Sequence, residues 1–220
     1  MLFLVQTDKG NLLRKSALLA VVCAILLFAP FASAQHTDIM VGGGILESLT
    51  KPTDVATFQP PQEKVGLYPS IAGNFYSSKH RFGLNVEGSW RYHLGNYYGY
   101  ETYRPIFIDA NALYQSQLTR RVGLDLMGGI GVASNRFNLL ASCSVPGCIN
   151  YTSSTHFMED LALGVRYRFW RRFFVRPEAH YYHIQHNEGF NSDNVFRIGA
   201  SIGYRFGEQS TQKKKAPAPK

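Results

Sequence analysis

The chain has 220 residues, 14% of them aromatic and 17% charged, with 20 glycines and a formal net charge of +8. A charged fraction under the ~25% usual for soluble domains argues against a surface that meets water all round. Four lysines after Phe206 carry much of the positive excess. The segments before them show no basic run of the kind nucleic acid requires, so a nucleic-acid partner is excluded.

The chain opens as a targeting segment. Lys9, Arg14 and Lys15 precede an uncharged apolar run over 17–32, and Ala32-Ser33-Ala34 closes it with small residues at the right spacing. This pattern predicts a signal peptide over 1–34, cut between Ala34 and Gln35. An uncleaved anchor is the alternative, but the run is short for a span and Pro30 interrupts it near the end. Cys23 lies in mid-run behind Val22, which does not fit a lipoprotein site.

Beyond residue 34 the hydrophobic period is two, the period of strands. Eight strands are predicted, at 38–46, 65–76, 81–93, 105–117, 122–134, 157–169, 173–183 and 195–206. In the third, Phe82, Leu84, Val86, Trp90 and Tyr92 alternate with Arg81, Asn85, Glu87, Ser89 and Arg91. In the fourth, Ile106, Ile108, Ala110, Ala112 and Tyr114 alternate with Asp109, Asn111 and Gln115. The last has the cleanest pattern: Phe196, Ile198, Ala200, Ile202, Tyr204 and Phe206 on one face, and Arg197, Gly199, Ser201, Gly203 and Arg205 on the other. Each strand is long enough to cross a bilayer when tilted, for which ~9–11 residues suffice. A lone strand in lipid leaves its backbone groups unpaired, so the set must close on itself.

The connections alternate. Those at 77–80, 118–121 and 170–172 are tight, whereas those at 47–64, 94–104, 135–156 and 184–194 are long. Short turns at one end and long loops at the other are the habit of outer-membrane barrels, with the turns and both mature termini in the periplasm. A soluble eight-stranded barrel would turn its polar face to water and be rich in lysine there. Between residues 35 and 206 only Lys51, Lys64 and Lys79 occur, all between strands. Aromatics such as Phe82, Tyr92, Phe157, Tyr167, Phe173 and Tyr204 cluster instead near the strand ends, as membrane girdles do.

The signal peptide, the eight-strand alternation and the final Val-Phe-Arg-Ile-Gly-Ala-Ser-Ile-Gly-Tyr-Arg-Phe resemble small outer-membrane barrels of the OmpA-transmembrane-domain and OmpX type. The resemblance covers nearly all of the chain after the leader and implies an all-β, eight-stranded antiparallel up-and-down transmembrane barrel over 35–206. It also implies that Tyr204 and Phe206 carry the terminal signal read by the barrel-insertion machinery. The chain departs from that pattern in continuing for fourteen residues beyond Phe206. That tail, 207–220, is Lys- and Pro-rich and reads as disordered, with peptidoglycan as a possible anionic partner.

No catalytic, cofactor or metal site is predicted. Gly129-x-Gly131-x-x-Ser134 lies within a strand and opens no helix, so it is not a dinucleotide loop. His180, His183 and His186 do not share a strand face, which disfavours a metal. A lipid A deacylase would use a His-x-Ser-Asn motif, but Gln185 stands in the serine position after His183. The inward face should bring together Glu87, Arg91, Asp109, Asp125, Asp160, Arg166, Arg176, Glu178, Arg197 and Arg205. Charges enclosed in a barrel this narrow need partners, which predicts ion pairs filling the lumen. In the longest connection, Cys143 and Cys148 flank Pro146-Gly147 and are expected to form an intraloop disulfide after export. The tyrosines at Tyr97, Tyr98, Tyr100 and Tyr103 suit a contact surface or an aromatic cap beside lipopolysaccharide.

The reading is therefore a monomeric, non-enzymatic outer-membrane barrel with a side-chain-filled lumen. It would lie among outer-membrane lipid and lipopolysaccharide and act through its extracellular loops. A narrow pore is the first alternative and a lipid A deacylase-like enzyme the second.

Overall fold

The computed structural model describes residues 36–49, 66–77, 81–97, 101–138, 151–185 and 193–207. Within them the chain forms β1 (His36–Ser48), β2 (Gly66–Tyr76), β3 (Phe82–Trp90), β4 (Gly95–Tyr97), β5 (Glu101–Gln117), β6 (Val122–Asn138), β7 (Tyr151–Trp170), β8 (Phe173–Ile184) and β9 (Asn194–Phe206). The signal cleavage at Ala34 and Gln35, Cys143 and Cys148, Tyr98, Tyr100 and nearly all of the tail lie outside the described residues.

All pairings are antiparallel and, β3 and β4 apart, join strands that are neighbours in sequence; β1 pairs with β9, so the sheet closes. The segments β3 and β4 both pair with β5 and form one interrupted wall strand, which makes the barrel eight-stranded. One circuit of the ladder fixes its geometry. Asp38 faces Asn74, then follow Asn85, Asn111, Gly129, Asp160, Tyr182 and Val195, and the path returns to β1 at Ser48. The return lands ten residues further along β1. This stagger, with eight strands, sets a tilted barrel whose bore is just wide enough for side chains to fill.

The outward face is apolar along its length. Val41 and Leu161 are 63% and 65% exposed, and Ile39, Ile71, Ile108, Ile130, Ile198 and Ile202 lie on the same surface. Water would penalise such a band, whereas hydrocarbon accepts it. At the short-turn end it finishes in contiguous aromatic pairs, Phe82 with Tyr114 and Phe173 with both Trp170 and Tyr204.

Several boundaries differ from the sequence expectation. The third strand stops at Trp90 instead of running to 93, and the expected loops at 94–104 and 135–156 are partly strand. β5 begins at Glu101, while β6 and β7 continue their ladder up to Asn138 and Tyr151. The extension is held by polar contacts that hydrophobic alternation cannot report, including Ser134 Oγ to Thr155 Oγ1 at 3.0 Å and Asn138 Nδ2 donating to Thr102 Oγ1 at 2.9 Å. Tyr103, expected in a contact loop, is an inward strand residue and buried.

Candidate functional site

The lumen is where the chemically capable side chains converge. It is layered along the barrel axis. Nearest the long connections lies an apolar plug of Leu46, Tyr68, Phe107, Ala133, Met158, Tyr182, Ile184 and Val195, all essentially inaccessible. Phe107 stacks on Tyr182 at 5.3 Å between ring centroids and meets Tyr68 edge-on at 6.0 Å. Sequence alternation missed this layer because its aromatics share a face with charged residues.

Below the plug lies a charged layer built from β3, β5, β7, β8 and β9. Arg197 donates to Glu87, and its guanidinium also lies 3.7 Å from Glu178. Arg176 grips Glu178, with Nε 2.7 Å and Nη2 2.6 Å from Oε2, the two residues being two apart on one strand face. His180 stacks beneath Tyr182 and places Nδ1 3.2 Å from Asp160. Asp109 accepts from Asn111 Nδ2 at 2.7 Å.

A polar ladder runs into this layer. Asn85 donates to Asn74 at 2.7 Å, and Asn111 donates to Asp160 Oδ2 at 2.8 Å across the intervening β6. That reach is possible only because the residue between them is Gly129. A Cβ there would stand 2.1 Å from the Ala110 carbonyl oxygen and 2.4 Å from Asn111 Oδ1. The glycine that resembled part of a phosphate loop is thus a gap through which two side chains meet.

A second charged group lies toward the short-turn end. Arg166 donates to Asp38 and, through Nη2, to Asp125 at 2.8 Å and the Tyr76 hydroxyl at 2.6 Å. Arg205 donates to Asp38 through Nε at 2.8 Å. The Phe174 ring packs on the Arg166 guanidinium at 4.1 Å and fills the space over Gly203. Arg176 lies 3.7 Å from Asp125 and links the two groups.

Nine of the ten residues expected in the lumen network take part in these layers. Arg91 sits apart, near the long-connection end, where it donates to the Tyr103 hydroxyl at 3.1 Å. Asp38 and His180 are central to the network but absent from the expected set. Asp38 had the right parity but stood at the assumed strand boundary, where alternation gives no support. His180 was placed inward by its parity, and only the fold shows what it meets.

Glu87, Glu178 and His180 bring three potential ligand atoms within 4.8 Å of one another. Arg176 and Arg197 already hold the two carboxylates, so a cation would have to displace two guanidinium groups. His183 points outward, away from His180, and bonds Asn194 Oδ1 at 3.0 Å. Gln185 donates to Glu159 at 3.0 Å. The described residues contain one serine–histidine contact, Ser154 Oγ to His156 Nε2 at 2.6 Å, at the end of the lumen beyond the apolar plug.

A closed eight-stranded barrel with an apolar outer band, aromatic edges and a packed interior defines an integral outer-membrane barrel. The family described as outer membrane protein beta-barrel domain matches residues 17–206, and the chain belongs to it. Its fold is similar to that of neisserial surface protein A, with a TM-score of 0.55 at 13% identity over 78% of this chain and 96% of that one. It is also similar to Ail, the attachment invasion locus protein of Yersinia pestis, solved in complex with the heparin analogue sucrose octasulfate. There the TM-score is 0.53 at 13% identity, over 78% of this chain and 98% of the other. No curated protein sequence matches significantly.

Proposed function

We propose that this protein is a non-conducting, non-enzymatic barrel of the bacterial outer membrane that acts through the ends of its strands and the long connections above them. The observation that carries this reading is the filled lumen: an apolar aromatic layer stacked on two linked groups of ion pairs. An apolar constriction resists wetting, and paired charges leave no free ionic lining, so both layers oppose ion passage.

In this reading the long connections and the β6–β7 extension face outward from the cell, while both mature termini and the Lys-rich tail lie in the periplasm. Tyr204 and Phe206 serve as the insertion signal, and Cys143 and Cys148 stiffen the longest loop. The exposed rim also offers a contact feature. Arg104 and Arg136 are direct cross-strand partners on the outer wall, and Arg136 stacks on Tyr151 at 3.9 Å. Facing like charges are unfavourable unless an anion lies between them, which suits a phosphate or sulfate on lipopolysaccharide or a surface glycan.

A hydrolase reading rests on Ser154 and His156 alone. Refolded protein separates the possibilities: steady bilayer current supports a pore, and fatty-acid release from lipid A supports the hydrolase. Labelling of Ser153→Cys by an impermeant maleimide on intact cells tests the orientation. Absence of labelling on intact cells, with labelling after lysis, would reverse it.

A further inference from the structure

The rim at the short-turn end has a charge pattern that neither the family nor the lumen explains. The connections 118–121 and 170–172 each contain two adjacent arginines, Arg120-Arg121 and Arg171-Arg172, and Arg81 leads into β3. All five are exposed. No aspartate or glutamate occurs in 77–82, 115–124 or 166–175. Among the described residues the acids closest to this rim, Asp38 and Asp125, point inward, are fully buried and are already bound by Arg166 and Arg205. Across these three connections the exposed arginines therefore form a broken ring of one sign, with no carboxylate in the connections themselves to neutralise it.

Their depth is fixed by their neighbours. Arg81 adjoins Phe82, Arg171 and Arg172 lie between Trp170 and Phe173, and Arg120 and Arg121 precede Val122, which faces Tyr167 across the β6–β7 ladder. Those aromatics touch across strands, Phe82 on Tyr114 and Phe173 on Tyr204, and Arg172 Nη1 donates to the Tyr204 hydroxyl at 3.4 Å. At ~3.3 Å per strand residue the guanidinium groups lie within about 10 Å of the hydrocarbon edge, at headgroup depth. Guanidinium forks bind phosphate oxygens bidentately.

We infer that this ring is a binding surface for anionic phospholipid headgroups, such as phosphatidylglycerol, in the leaflet that the short-turn rim contacts. A second feature supports lipid over a periplasmic polymer: the arginines are spread over three separate connections of the rim, beside the aromatic belt, and are not gathered on one side. The ring draws and holds acidic lipids around the barrel. It also favours the seating depth at which the aromatic belt meets the interface.

The test uses the refolded full-length protein, tail retained, in detergent micelles doped with phosphatidylglycerol or phosphatidylcholine, with retained lipid counted by native mass spectrometry. Wild type should retain phosphatidylglycerol over phosphatidylcholine by roughly tenfold or more, a preference weakened by salt. R120Q/R121Q/R171Q/R172Q should lose most of that preference, and the matching lysine variant should keep part of it. Heat-modifiable gel mobility verifies that each variant is folded. Equal retention of the two lipids by wild type, or an unchanged preference in the glutamine variant, would overturn the inference. Stronger arginine-dependent binding to isolated peptidoglycan than to acidic lipid would overturn it in favour of the wall. Micelles have no sidedness, so the outcome does not depend on which rim faces the cell exterior.

Discussion

Replacing Glu87 with glutamine keeps the shape of a side chain at the centre of the lumen and removes its charge. Glu87 is 1% exposed, with Arg197 donating to Oε1, Arg176 Nη2 at 3.8 Å from Oε2 and His180 Nε2 at 3.9 Å. Breaking one side of a buried ion pair costs ~3–5 kcal/mol, because the remaining charge is left in a medium that cannot solvate it. Glu178, 3.7 Å from Arg197, remains to take up part of that charge, so the lower end of the range, about 3 kcal/mol, applies. Arg197→Met should cost a similar amount by stranding Glu87. In E87Q/R197M neither charge is left alone, and the double variant should fall short of the sum of the singles by ~1.5 kcal/mol or more. Urea unfolding of the barrel in lipid vesicles, followed through the fluorescence of Trp90 and Trp170, measures all four species. Single-variant losses under about 1 kcal/mol, together with an additive double, would show that the pair behaves like a solvated surface bridge and would refute the reasoning.

Other consequences follow from the same geometry. Gly129→Ala should destabilise the barrel by ~3 kcal/mol or more in the same unfolding assay. The new Cβ meets the β5 backbone and severs the contact from Asn111 to Asp160. Unreduced mature protein should show no free thiol under denaturing conditions, and a count of two would end the proposal that Cys143 and Cys148 are bridged. Wild type and Ser154→Ala should release equally little fatty acid from lipid A, whereas serine-dependent release would make the Ser154–His156 pair catalytic.

Much of the wall was legible from the sequence because a strand buried on one side writes its period directly into the chain. The parities of Arg176, Glu178 and His180 on β8, and of Arg197 and Arg205 on β9, could be read before any partner was known. Which charges meet could not be read. Arg166 reaches Asp38 across 128 positions in sequence, and that pairing depends on the stagger of ten residues around the ring, a property of all eight ladders at once. The aromatic plug was hidden for another reason. Tyr68, Phe107 and Tyr182 were expected neither as polar lining nor as membrane-facing residues, yet a bore closed by ion pairs lower down still needs bulk at its upper end. The β6–β7 extension was missed because its Ser, Thr and Asn residues bond across strands without hydrophobic alternation.

The central claim is that side chains close the lumen, and single-channel recording of the refolded wild-type protein in a planar bilayer tests it most directly. The account predicts no stable, wide-open current from wild type, and current emerging when both layers are opened together, as in Phe107→Ala combined with Glu87→Ala. Stable, large conductance from the wild-type barrel would contradict it.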